Sequence, residues 1–271
     1  MKSPRATASN AAFTLLELSL VLGVLSLLIA GILSVVTQNT RRAAMMEVSR
    51  KMDVIEAALL NFRRLNGRLP CPADGSYAIT SQYFGIEGAT TGTCTGGTPA
   101  ANFTDGSNTI GGVVPIKTLG LSNDYAFDPW NGRFFYAVDK RITGASAFTT
   151  YTVTSTSIGS MSIYDGSSTP TAISGTARTT VAIAMVMSFG PNGHGAYQFS
   201  GVRKSSGSNN IDELQNCHCD NTATATAFDY KFVQHPPTTT SSSDPTYNFD
   251  DIVRYYLRSS FLNTTDTTIS R

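Results

Sequence analysis

The sequence predicts an α+β protein, a long N-terminal helix packed on a small antiparallel sheet, and three observations carry that prediction. An apolar run from Phe13 to Val36 passes into an amphipathic stretch that holds no Pro or Gly between residues 32 and 66. Several short downstream segments concentrate aromatic and β-branched residues. Turn signals rich in Gly, Pro and Asn flank those segments.

The apolar run comes first. At about 1.5 Å per residue, Phe13 to Val36 extends about 36 Å, enough for a hydrocarbon core of about 30 Å. The run is too long for a secretory signal peptide. A plain anchor does not explain Glu17, because a charge within the bilayer costs about 2.5–3.5 kcal/mol on insertion scales. Beyond the run, Met45, Val48, Met52, Ile55, Leu59 and Phe62 recur at spacings of three and four. Arg41, Arg42, Glu47, Arg50, Lys51, Asp53, Glu56, Arg63 and Arg64 fill the other faces, so this half should pack on a sheet. Asn66-Gly67 followed by Pro70 is a stop signal, and the helix is expected from Phe13 to about Leu65.

Residues 67–124 are rich in Gly, Thr, Ser and Pro and read as a long connecting loop. Strands are expected at Arg133–Val138, Thr149–Thr154, Met161–Tyr164, Val181–Phe189, Phe228–Val233 and Ile252–Leu257. Asp128-Pro129 with Asn131-Gly132, and Gly190-Pro191-Asn192-Gly193, supply the turns.

Composition bounds the function. The chain has 271 residues, a net charge of +1 and only 14% charged residues, which gives no nucleic-acid-binding surface. His194, His218 and His235 lie in loop contexts, and no Gly-x-Ser-x-Gly elbow or phosphate-cradling loop occurs, so no catalysis is expected.

Ala12-Phe13-Thr14-Leu15-Leu16-Glu17, preceded by a polar leader with Lys2 and Arg5, resembles the type III signal of type IV pilins and type II secretion pseudopilins. The resemblance implies a type IV pilin-like fold whose helix is transmembrane in its first half. It also implies cleavage by a prepilin peptidase between Ala12 and Phe13 and methylation of the new amine. The expected organisation is a leader (1–12), transmembrane half-helix (13–36), amphipathic half-helix (37–66), variable loop (67–124), sheet domain (125–258) and polar tail (259–271). Once Phe13 is a terminus, Glu17 lies one helical turn along, and its carboxylate pairs with the Phe13 amine of a neighbouring subunit as a register mark. Partners would be the peptidase, further copies in a helical fibre and other pseudopilins.

The same resemblance places the chain in the bacterial inner membrane, single-pass, with its C-terminal domain in the periplasm. Basic residues count the other way, two before the run (Lys2, Arg5) and four after it (Arg41, Arg42, Arg50, Lys51).

Ala126-Phe127-Asp128-Pro129-Trp130-Asn131-Gly132 resembles the Asp-Pro-Trp-Gly stretch of the major, G-type pseudopilin. Ser188-Phe189-Gly190-Pro191-Asn192-Gly193 resembles that protein's Ser-x-Gly-x-Asp-Gly turn, and Asp250-Asp251-Ile252 its acidic-Ile stretch. A secretion pseudopilin is therefore the leading expectation, with a major or minor pilin for adhesion or DNA uptake as the alternative and a membrane-anchored enzyme as the third. In that family a loop between the last strands can hold calcium. Asp250 and Asp251 are the candidate ligands here, with Asn192, Asp212 and Ser188 as further oxygen donors, although turn-capping is the competing role. No cofactor is required.

Four cysteines, Cys71, Cys94, Cys217 and Cys219, suggest disulfides in an extracytoplasmic domain. A Cys217–Cys219 ring would be very small and strained. Either Cys71 with Cys94, or cross-links from the long loop to Cys217-His218-Cys219, is expected instead. A zinc site made by Cys217, His218 and Cys219 is the rival reading, against which stands the rarity of adjacent ligands converging on one ion.

Overall fold

The computed structural model describes residues 15–106, 108–166, 175–238 and 245–261, with the side chains of 28–37 excepted. The proposed cleavage pair Ala12 and Phe13, the leader, and the tail beyond Phe261 lie outside the described residues. The chain divides into two compact units, Met1–Met46 and Glu47–Arg271.

Helix α1 covers Leu15–Asn66. Gly67 ends it with φ of 65° and an N–H that donates to the Arg63 carbonyl at 2.8 Å, the left-handed stop that Asn-Gly announced. In the first unit, the described apolar residues from Leu15 to Leu27 are exposed, Leu15 at 88% and Leu27 at 76%.

The transmembrane first half is not found. Among the described residues, no helix is long and apolar enough to cross a membrane. The pilin-like arrangement built on a transmembrane half-helix is corrected accordingly. The single-pass inner-membrane location with a periplasmic C-terminal domain has no support for the same reason.

In the second unit, Val48, Met52, Ile55 and Leu59 are buried along one face of α1. The unit contains β1 (Phe103–Thr104), β2 (Thr109–Val113), β3 (Phe135–Asp139), α2 (Ala147–Thr150), β4 (Met161–Tyr164), β5 (Ala177–Ala182), β6 (Ala184–Ser188), α3 (Ile211–Cys217), β7 (Lys231–Val233), β8 (Ile252–Tyr256) and α4 (Arg258–Phe261). A five-stranded sheet has the order β1-β2-β3-β6-β8 with every neighbouring pair antiparallel. A three-stranded sheet, β5-β4-β7, pairs β4 with β5 antiparallel and β4 with β7 parallel.

The five-stranded sheet is buried on both faces. Tyr136, Val138, Ala184 and Val186 share a core with Val48, Met52, Ile55 and Leu59 of α1. Their strand neighbours Phe135, Ala137, Met185 and Met187 point the other way, into a core with Met161, Ile163 and Phe232 of the smaller sheet. Two-sided burial is why β3 and β6 read as continuous apolar runs rather than alternating ones.

Three expected elements change. Thr149–Thr154 is not a strand: it begins in α2, where the Thr149 and Thr150 hydroxyls donate to the Ser146 carbonyl at 2.7 and 3.3 Å and favour a local turn. The run Val181–Phe189 is divided at Ile183 between β5 and β6, in different sheets. Within the expected loop 67–124 lie β1 and β2, and the glycines that hid β2 are required by close packing. A Cβ at Gly112 would stand 2.4 Å from the Ala73 carbonyl oxygen, and one at Gly111 2.8 Å from the Phe135 ring.

Candidate functional site

The second unit gathers its polar chemistry around α3. Asn210 caps this helix, its side chain accepting from the backbone N–H groups of Asp212 and Glu213 at 2.9 and 3.2 Å. His218 ends it in the left-handed conformation, φ 47° and ψ 52°. The buried face is polar, with Glu213, Asn216 and Cys217 turned inward. Opposite them stand the turn after β6 and the acidic residues that lead into β8.

Ligand atoms of Glu213, Asp250 and Asp251 lie within 4.8 Å of one another, and all three residues are buried. Glu213 accepts from Ser208 Oγ (2.6 Å) and Asn192 Nδ2 (2.7 Å) on one oxygen and from the Asp250 N–H (3.0 Å) on the other. Asn216 Nδ2 donates to Asp251 Oδ2 at 2.9 Å while its amide also holds both backbone groups of Val233, at 2.7 and 3.0 Å. The Asn192 N–H donates to Asp250 Oδ2 at 3.3 Å. Burial raises the Glu213 pKa, against the hydrogen bonds that favour its charged form. Asp251 is pushed well above the carboxylate range, by burial first and by the charges of Glu213 and Asp250 next. Burial therefore disfavours the charged forms of Glu213 and Asp251, while donors from α3, the turn and β8 hold the carboxyl oxygens.

Of the oxygen donors expected around calcium, Asp250, Asp251 and Asn192 meet here. Two do not: Asp212 engages His235 at 3.0 Å, and Ser188 donates to Asp128 at 2.6 Å. Glu213 is the acid that sequence reading missed, and its place at the start of a capped helix was the available signal. The donor set is right in kind for a hard cation. It falls short in number, because calcium takes about 6–8 oxygens and both Glu213 oxygens already accept hydrogen bonds. His235, stacked on Phe249 at 3.8 Å, has a raised pKa: burial lowers it, and the bond to Asp212 with other contacts outweighs that.

At the other end of α3, Cys217 and Cys219 form a disulfide with Cα atoms 5.2 Å apart. From the sequence this ring is disfavoured as very small and strained. The correction lies in His218, whose left-handed backbone turns the chain back on itself so that the two cysteines approach. Cys71 pairs with Cys94, one of the two expected alternatives, at 5.4 Å. Cross-links between the long loop and the Cys217 segment do not form.

The expected zinc triplet is also rearranged. The His218 ring bonds Asp229 at 3.1 Å and packs on Phe228 and Phe232, whereas His194 is the histidine with a ligand atom within 4.8 Å of both Cys217 and Cys219 sulfurs. His194 Nδ1 accepts from the Ser206 and Ser208 N–H groups at 3.2 and 3.5 Å, which assigns the proton to Nε2, donated to the Asp220 carbonyl at 2.9 Å. Burial lowers its pKa, so the ring is neutral near pH 7. Arg203 donates to the carbonyls of Gly195 (2.9 Å) and Cys217 (2.7 Å), bracing the turn against the end of α3.

Glu17 is described as an exposed residue in the first turn of α1. Compared with models of protein families, with curated proteins and with solved structures, this chain matches none.

Proposed function

We propose that the chain is a structural subunit of a pilus-like fibre, processed by a prepilin peptidase between Ala12 and Phe13, and of the secretion-pseudopilin type. The observation that carries the reading is the exposed apolar surface of α1 between Leu15 and Leu27. A continuous apolar stretch of this size costs free energy in water unless other helices cover it, and copies of the same helix are its natural partners. The signal-like run through Glu17 supports the family assignment, as do the turns at Asp128 and Ser188 and the acidic stretch at Asp250.

The test is assembly in a host with an active prepilin peptidase. Leu20→Asp with Val24→Asp should abolish cross-linked oligomers and fibres while the second unit keeps its native urea midpoint. Wild-type oligomer levels in that variant would overturn the reading, as would mass spectrometry showing an intact leader. Loss of secretion in a strain lacking the chain separates a pseudopilin from an adhesion or DNA-uptake pilin.

A further inference from the structure

We propose that His194, Cys217 and Cys219 form a zinc-binding site that stays masked while the Cys217–Cys219 disulfide is closed and becomes available when a dithiol reduces it. One ligand atom from each residue already lies within 4.8 Å of the other two. These are the residue types of a Cys2His centre, and three protein ligands leave the fourth tetrahedral position for water. Ligand separations in such a site are about 3.5–3.8 Å, given metal bonds of about 2.0–2.3 Å, so modest side-chain movement completes it once the sulfurs are separate.

Two surroundings favour the reduced, metal-bound form. The two N–H contacts to His194 Nδ1, at 3.2 and 3.5 Å, are long ones, so its lone pair is loosely held. The Arg203 guanidinium, bonded to the Cys217 carbonyl at 2.7 Å, places a positive charge where thiolates must form. His218 does not compete, since its ring is held by Asp229 at 3.1 Å.

The chemistry closes. The dithiol transfers two electrons and is oxidised to its own disulfide, the sulfur–sulfur bond of the protein breaks, and each cysteine sulfur takes one proton. Zn²⁺ then displaces both thiol protons to solvent. His194, Cys217 and Cys219 are 1–3% exposed, so the metal needs a route. Cleavage opens the small ring at the end of α3, leaving the His218 backbone as the link to the hairpin that begins at the Cys219–Ala225 bridge and exposes Thr222 and Thr224 at its tip.

The experiment uses the full chain and Co²⁺ as a coloured stand-in for zinc, under anaerobic conditions with and without a dithiol. Reduced protein should bind one equivalent with a thiolate-to-cobalt charge-transfer band, and unreduced protein none. Reduction also opens Cys71–Cys94, so the control is Cys217→Ser with Cys219→Ser, which should lose the band. His194→Gln should weaken binding at least about tenfold, while His218→Gln should not. No band in reduced wild type would overturn the proposal. So would an unchanged band in the double serine variant, or undiminished affinity in His194→Gln.

Discussion

Ser188 donates its hydroxyl proton to Asp128 at 2.6 Å, joining two turns that lie sixty positions apart in the chain. Asp128 also accepts from the N–H groups of Trp130 and Gly132 at 3.0 and 2.9 Å on its other oxygen, so one buried carboxylate organises the approach to β3 and is tied to the end of β6. Burial raises its pKa, with the hydrogen bonds acting in the opposite sense. Ser188→Ala removes one partner from a buried acceptor and should cost about 1–3 kcal/mol, read as a lower urea midpoint at constant slope. A loss below a few tenths would show that the link contributes nothing to folding.

The carboxyl trio gives a pH dependence of definite sign. Glu213 and Asp251 have folded pKa values raised above their unfolded ones, so their contribution is fully present below about pH 4 and is lost as pH rises through the raised values. His235 adds to the same trend, with its share present below about pH 6.5 and lost above it. Asp251→Asn removes one acid and keeps a side chain that hydrogen-bonds. Its stability should fall less than wild type between about pH 4 and 8 in paired urea titrations. Parallel curves would show that Asp251 contributes nothing to the pH dependence.

The two disulfides should differ in weight. Cys71–Cys94 closes a loop with a separation of 23 residues and Cys217–Cys219 one of only 2. On the chain-entropy model the first contributes about 3 kcal/mol and the second less than about 2 kcal/mol. Removing the first pair by substitution should therefore lower the urea midpoint more. Alkylation of unreduced protein should label no cysteine, since none is free in the structure.

Glu17→Leu tests the register idea within the fibre proposal. Cleavage after Ala12 and folding of the second unit should be unaffected, while fibre formation becomes slow or fails. Oligomers at wild-type level with Leu at position 17 would remove the charge from the account of assembly.

Periodicity made the buried face of α1 readable, because Val48, Met52, Ile55 and Leu59 obey one helical repeat. Turn chemistry likewise announced Gly67. What escaped was decided by distant partners. Gly111 and Gly112 lower strand propensity on their own and are explained only by Phe135 and the Ala73 carbonyl. Glu213 lies in the first turn of a capped helix and His194 in a Gly-rich turn, but only the fold brings them to Asp251 and Cys217. From the sequence the Cys217–Cys219 ring reads as very small and strained, because nothing local requires the left-handed His218 that accommodates it.

Ile183 is the sole residue between β5 and β6, and both of its backbone groups are engaged: its N–H donates to the Tyr256 carbonyl and its carbonyl accepts from the Asp139 N–H, each at 2.9 Å. A joint one residue long has no slack, so the outer sheet can neither slide along the inner one nor be exchanged with another copy about this point. Lengthening the chain at position 183 by a few flexible residues would turn one rigid body into two.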